Sequence, residues 1–597
     1  MGAKKITMRT TAGLAVLGLV LSGCSGGGEG EDDSGGAGDP VRGGTLKYVG
    51  ADDVDHLDTA SGYYTVTATL MRTFTRQLFT YPALENPTEG IMPVADLATE
   101  VPTEENGGIS EDGTTYTLTL REGAQWDTEP ARAVVAEDFV RGFKRLCNPV
   151  QPSGGLTYYT STIVGMQEFC DGFAKVAPEI GPMKAYIQGN DITGISAPDE
   201  RTLVFELTAP AADFLNILSM KFASAAPVEY LDYIPDGAEF RQNTISNGPY
   251  RITEYVPDKS IHLERNPAWD AESDPVREAY VDAIDVTLGQ GSPDAVQQQL
   301  EVGSADLSWD QPVPVTVIPR LQQSEDENFS VYPLLDTNPY LAFNHVSPNE
   351  DGAIGKLKVR QAIIYAIDKQ AIARIYGGET LNETINQVIP PDNVGHEEFD
   401  LYETENDTGD PQRCKDLLAE AGYGPNELTL KAWFRNSGRH PDVAQSYQAD
   451  LERCGIQVEL IPTPQADYYS AYLGQPSRAK AGEWDITAPG WIPDWYGQNG
   501  RAIVQPLFET NCTVNTVNYG CYSNPDVDRM IQEALEAQSL DEAEELWHEI
   551  DRTLMEDAAF VPFKTNKKPM YHSDRVQGAK FINTLTFFDP TNLWLAQ

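Results

Sequence analysis

Two nearly adjacent segments, "PQRCKDLLAEAGYGPNELTLKAWF" (411–434) and "PDVAQSYQADLERCGIQVELIPTP" (441–464), each run an amphipathic helix, a glycine and a strand. Gly422 and Gly455 fall where each helix must stop, and glycine takes the left-handed conformation that such an ending uses. Successive helix–strand units cover a sheet only as right-handed crossovers between parallel strands. The pair therefore predicts an α/β lobe spanning about 290–545, distinct from what precedes it.

What precedes it has a different rhythm. "GGTLKYVG", "TTYTLTLREGAQW", "RTLVFELTAP" and "YRITEYVPDKSIHLERNP" alternate apolar and polar residues between Gly and Pro stops, the mark of strands in a mixed sheet. Helical spacing marks "AEDFVRGFKRLC", "VRQAIIYAIDKQAIARIYG" and "SLDEAEELWHEIDRTLMEDA". The last segment, "FVPFKTNKKPMYHS", returns to strand-like alternation. The fold class is α/β, with no repeat of fixed period, and the length alone suggests about two to four structural units.

The first residues bear on location. Lys4, Lys5 and Arg9 precede "AGLAVLGLVL", an apolar run shorter than the ~20 residues of a membrane span. It reads as a signal peptide over 1–24. "SGGGEGEDDSGGAGDP" (25–40) has no apolar face and reads as a flexible linker. No later run approaches the length of a span. The net charge of −47 is dispersed, and discarding the first 24 residues removes three bases and no acid. Such a surface repels phosphate, so nucleic acid is not an expected partner.

Seven cysteines leave six once Cys24 is set aside, an even number suited to an oxidising compartment. Neighbours in sequence suggest Cys147–Cys170, Cys414–Cys454 and Cys512–Cys521, though spacing alone leaves every other pairing open. No CxxC occurs and the spacings are wide, so no metal site is expected, and no cofactor.

One stretch poses a chemical question. "GWIPDWYGQNGR" (490–501) sets Asp494 among Trp491, Trp495 and Tyr496. An acid there is a turn residue, half of a catalytic pair, or the anchor of a ligand pocket walled by aromatic rings. Enzyme constellations are absent from the sequence: no His-Glu-x-x-His, no Gly-x-Ser-x-Gly, and "SRAK" (477–480) lacks the companion motifs of its class. Asp485 with Asp494 fits a glycosidase pair by spacing only. The expectation is a binding protein, not an enzyme.

Many landmarks resemble one family, the peptide/nickel-type (family 5) solute-binding lipoproteins of ABC importers. "LSGC" resembles a lipobox with Cys24 as the acylated residue. "GGTL" with "HLDTA", "DGTTYTLTLREGAQWDTEPARAVVAEDFVRGFKRL", "SNGPYRITEYVPDKSIHLERNPAW", "VRQAIIYAIDKQAIARIYGG", "AEAGY", "GIQVEL", "YSNPDVDRMIQEA" and "FVPF" occur in the family's order. Thr59 stands where the family usually has proline, "TEPARAVVAED" replaces an Asp-Gly-Thr-Pro approach, and "WYGQNGR" follows Asp494 where peptide binders often have Tyr and then Asp-Pro.

The resemblance implies two lobes with a hinge and a subdomain inserted in the first. Its boundaries would be 41–80, 81–190 (the insert) and 191–288 in lobe I, 289–550 in lobe II, and 551–597 returning to lobe I. It implies a monomer on the outer face of the cytoplasmic membrane, capturing a short peptide or other small solute for an ABC permease and its ATPase. Asp494 would pair with a ligand ammonium, with Trp491, Ile492, Pro493, Trp495, Tyr496, Tyr63 and Tyr64 around it. The alternatives are a ligand-sensing lipoprotein or an oligosaccharide carrier. In the latter, Trp484 would join the stacking rings, and Gln498 and Asn499 would bond hydroxyls.

Overall fold

A computed structural model describes residues 39–596, apart from 85, 465–467, 496–499, 514–515 and 538–539. Cys24, Tyr496, Gln498 and Asn499 lie outside the described residues, as does the linker up to residue 38.

Thr45–Val49 sits inside a five-stranded sheet, parallel to Ala283–Thr287 on one side and to Leu307–Ser308 on the other. Ser260–Arg265 and Tyr250–Val256 extend it antiparallel, giving the mixed sheet that the alternation predicts. Its core gathers Leu46, Leu263, Ile284 and Val286 with Phe581, Phe588 and Leu595 from the other end of the chain. The chain ends therefore share one core.

Against this sheet stands a unit whose strands Thr115–Thr119 and Thr202–Glu206 pair antiparallel. Its helix Ala136–Leu146 begins where Asp138, 1% exposed, accepts from the Val135 backbone N–H at 3.2 Å and the Trp126 indole at 2.8 Å. Arg132 and Arg141 pair with the same carboxylate, so one buried acid gathers strand, turn and helix start. Cys147, which ends that helix, is joined to Cys170 of the helix Met166–Phe173.

The helix–glycine–strand pair forms as its spacing predicts. Leu428–Arg435 and Ile456–Thr463 run parallel in unbroken register from Leu428↔Ile456 to Arg435↔Thr463. Asp410 caps Pro411–Glu420 through the N–H groups of Gln412 and Arg413, and Gly455, at φ 88°, turns His440–Cys454 into its strand. Cys414–Cys454 joins the two helices, and Cys512–Cys521 closes a shorter loop. Ile486–Thr487 continues the parallel set, but Tyr340–Phe343 and Phe560–Pro562 join through antiparallel pairings, so this sheet is mixed at one side.

"VRQAIIYAIDKQAIARIYG" departs from a single helix. Leu357–Ala366 ends, and Lys369–Ile375 starts anew because the Asp368 carboxylate caps it by accepting from Ala371 N–H.

The chain passes from the first sheet to the second after Leu307–Ser308 and returns after Phe560–Pro562. The two passages pair antiparallel, Phe329–Pro333 with Lys567–Tyr571. Two lobes thus hang on this ribbon, to which Asn382–Thr384 adds a third strand along Lys564–Tyr571.

Candidate functional site

Ile486–Thr487 lies among the parallel strands of the second lobe, and the chain leaving it carries residues 490–495 to the lobe boundary. Ligand sites gather at this kind of strand end. Trp491 is held there by paired backbone bonds with Thr337, at 3.0 and 3.2 Å, and its indole N–H donates to the Ala502 carbonyl at 2.6 Å. At Gly490 a Cβ would lie 1.9 Å from Asn338 Oδ1, so a larger residue there would have to displace the Asn338 side chain.

Asp494 meets the first lobe. Its Oδ1 accepts from Tyr63 Oη at 2.7 Å and its Oδ2 from Tyr158 Oη at 2.5 Å. Burial raises both phenols, and the Asp494 carboxylate raises them further, so each stays a protonated donor. Tyr63 is positioned by its own N–H on Asp55 Oδ2 at 2.7 Å and by stacking on Phe222. Tyr158 belongs to the short helix Leu156–Thr160 and meets Trp495 edge-on at 4.7 Å.

A second contact crosses the same boundary. Arg501 pairs with Asp213 at 3.3 Å and donates to Thr162 Oγ1 at 2.7 Å and Ser161 Oγ at 2.9 Å. Asp213 is buried, which raises its carboxyl, while Arg501 opposes the rise. The lobes are therefore in contact in this structure.

Beside Asp494 opens a cavity of about 790 Å³, within the range of small-ligand sites. Tyr63, Tyr64 and Lys221 face it from the first lobe, Ile492, Pro493 and Asp494 from the second, and Asn566–Pro569 from the ribbon. A branch of about 80 Å³ runs behind Tyr63 and shares Lys221 and Asp494 with it.

The expected residues divide into two groups. Tyr63, Tyr64, Ile492, Pro493 and Asp494 come together on the cavity wall. Trp495 does not join them: it is wholly buried and packs in the first-lobe core around Phe139, Phe143 and Phe205. Trp491 packs against the second-lobe core with its N–H spent on Ala502. Trp484 is fully buried near Trp433, in a cluster away from the cavity. Asp485 is also buried, accepting from Ser347, Asn349 and the Lys431 backbone, which makes it a strut of the second lobe. Tyr158, Lys221, Asp213 and Arg501 were not singled out by sequence reasoning. Tyr158, Asp213 and Arg501 bond across the lobe boundary and Lys221 borders the cavity between the lobes, so no local spacing marks any of them.

A family model described as bacterial extracellular solute-binding proteins, family 5, middle region, matches residues 93–507. The dipeptide-binding protein of Escherichia coli (strain K12) is 28% identical over 469 residues, 76% of this chain and 78% of its own length. Heme-binding protein A of Haemophilus influenzae is 25% identical over 497 residues, covering 79% and 80%. Among solved structures, a clavulanic acid biosynthesis oligopeptide binding protein 2 superposes with a TM-score of 0.82 at 26% identity, covering 93% of this chain and 96% of its own.

Proposed function

This chain belongs to the bacterial extracellular solute-binding proteins of family 5, and we propose that it captures a short peptide between its lobes and hands it to an ABC permease. The family is one of binding and transport proteins. The observation that carries the reading is Asp494, a carboxylate held by tyrosines of the opposite lobe at the wall of the cavity. A carboxylate has about four lone-pair sites, and two hydroxyls leave room for an ammonium. In that role Asp494 meets the ligand's free amine, and an extended ligand main chain pairs like an added strand. Tyr63 and Tyr64 flank the ligand, with Ile492 and Pro493 as an apolar wall. The dipeptide-binding and oligopeptide-binding names of the relatives support a peptide over other solutes.

The oligosaccharide alternative is weakened, because Trp484 and Trp495 have their faces in cores and not toward the cavity. Among the described residues no helix is long and apolar enough to cross a membrane. A diacylated Cys24 would place the protein, as a monomer, at the outer face of the cytoplasmic membrane, with ATP spent by the importer's ATPase. Mass spectrometry of what co-purifies with native protein tests the ligand class. A peptide mixture upholds the reading, and a defined sugar or chelate overturns it.

A further inference from the structure

Lys221 is the anomaly of the cavity. Its Nζ lies 4.6 Å from the Phe222 ring centre and 5.3 Å from that of Tyr63, and it has no hydrogen-bond or ion-pair partner among the described residues. It borders both the main cavity and the branch. Burial draws the ammonium down to about 8, although Asp494 and Asp55 pull it upward. Aromatic faces stabilise a cation, but less than an anion in contact does.

The branch holds two further unspent donors. Arg72 is 4% exposed, and while its terminal nitrogens serve Asp589 and Thr80, its Nε is buried without a partner. Tyr81, 3% exposed, accepts from Asn216, and its own proton has no acceptor among the described residues. Arg72, Tyr81 and Lys221 all line this small branch. An orphaned buried donor is costly, and Arg72 Nε, an ammonium with no anion in contact and a phenol proton around one void favour an acceptor that carries charge.

We propose that this branch is an anion subsite, seating a carboxylate of the ligand on Lys221, with Arg72 and Tyr81 in the same wall, beside the acid that takes the ligand's amine. The ligand is then a zwitterion at one end: a free amine at Asp494 and a carboxylate close by at Lys221. The anion also offsets the repulsion that Lys221 would exert on an ammonium at Asp494. This rests on the inter-lobe cavity being the ligand site.

Calorimetry with three tripeptides separates the sources of the carboxylate: amidated Glu-Ala-Ala, amidated Gln-Ala-Ala, and Gln-Ala-Ala with a free C-terminus. The protein should bind the amidated Glu peptide at least about tenfold more tightly than the amidated Gln peptide, a difference of about 1.4 kcal/mol. Lys221→Met should erase that preference and Lys221→Arg should keep it. A Lys221-dependent preference for the free C-terminus instead would assign the subsite to the terminal carboxylate. Equal binding of all three peptides overturns the anion subsite and leaves peptide capture standing. If no peptide binds, the peptide reading fails, and melting in glutarate against chloride at matched ionic strength decides the subsite. A rise in Tm that Lys221→Met abolishes upholds it, and no such rise overturns it.

Discussion

Tyr63 and Asp494 lie 431 residues apart, and the Tyr63 hydroxyl donates to the Asp494 carboxylate at 2.7 Å. One bond thus joins the lobes at the wall of the cavity, and the acid it holds is the group proposed to meet a ligand amine.

Asp494→Asn keeps the shape and removes the charge. A ligand ammonium left unpaired in a partly buried site typically costs about 3–5 kcal/mol, or roughly two to three and a half orders of magnitude in affinity. Calorimetry should show the wild type preferring a free-amine peptide over its N-acetylated twin and the variant losing that preference. Equal binding of both peptides by the wild type would falsify the ammonium role.

How much of this was legible beforehand follows from the range of each interaction. The parallel strands 428–435 and 456–463 were readable because helix, glycine and strand are successive and local. Asp368 shows the limit: its helix-capping carboxylate splits what periodicity reads as one helix. The aromatic cluster around Asp494 was visible as composition, but whether a ring faces a cavity or a core depends on the other lobe. Trp495 packs on Tyr158, which comes from more than 300 residues earlier, so no window around residue 494 contains the answer.

Arg501 supplies a second test of how the lobes are held. Arg501→Gln removes the cation from Asp213 and weakens the bonds to Ser161 and Thr162. The unliganded protein should then populate an open arrangement, seen as a larger radius of gyration in small-angle scattering. Ligand affinity should fall by about tenfold as the ligand closes the lobes unaided, a coupling of about 1.4 kcal/mol. An unchanged scattering profile would show that the ion pair does not hold the lobes together.

Cys24→Ala should leave the protein unprocessed or released, since acyl chains and not a helix are the proposed tether. Growth with radioactive palmitate reads this directly. Label retained by the variant would rule out Cys24 as the acceptor.

The three bridges should appear in non-reducing peptide maps as Cys147–Cys170, Cys414–Cys454 and Cys512–Cys521, with no free thiol among the six. Removing the Cys414–Cys454 bridge should lower stability by about 2–4 kcal/mol, because it closes the largest of the three loops. Cleavage products linking 147 with 454 would contradict this arrangement.

Acid stability should depend on a charge network in the first lobe. Arg76 and Arg277 pair with Asp96 and Asp274 at distances of 2.8 to 3.5 Å, and all four side chains are without exposure. Burial raises the Asp274 carboxyl, but Arg277 and Arg76 overcome it and hold it at about 2, below its ordinary 3.8. A carboxyl depressed in the folded state contributes fully above pH 3.8, and that contribution, about 2–3 kcal/mol, is lost as pH falls toward 2. Arg277→Met leaves buried acids short of a cation and should cost about 3–5 kcal/mol at pH 7. The penalty should shrink as pH falls below about 4, because protonated acids no longer need the guanidinium. Urea unfolding of both proteins at pH 7 and pH 3 measures the difference, in which the other titrating groups cancel. A penalty that is the same at both values would mean that Arg277 acts through packing and not through charge.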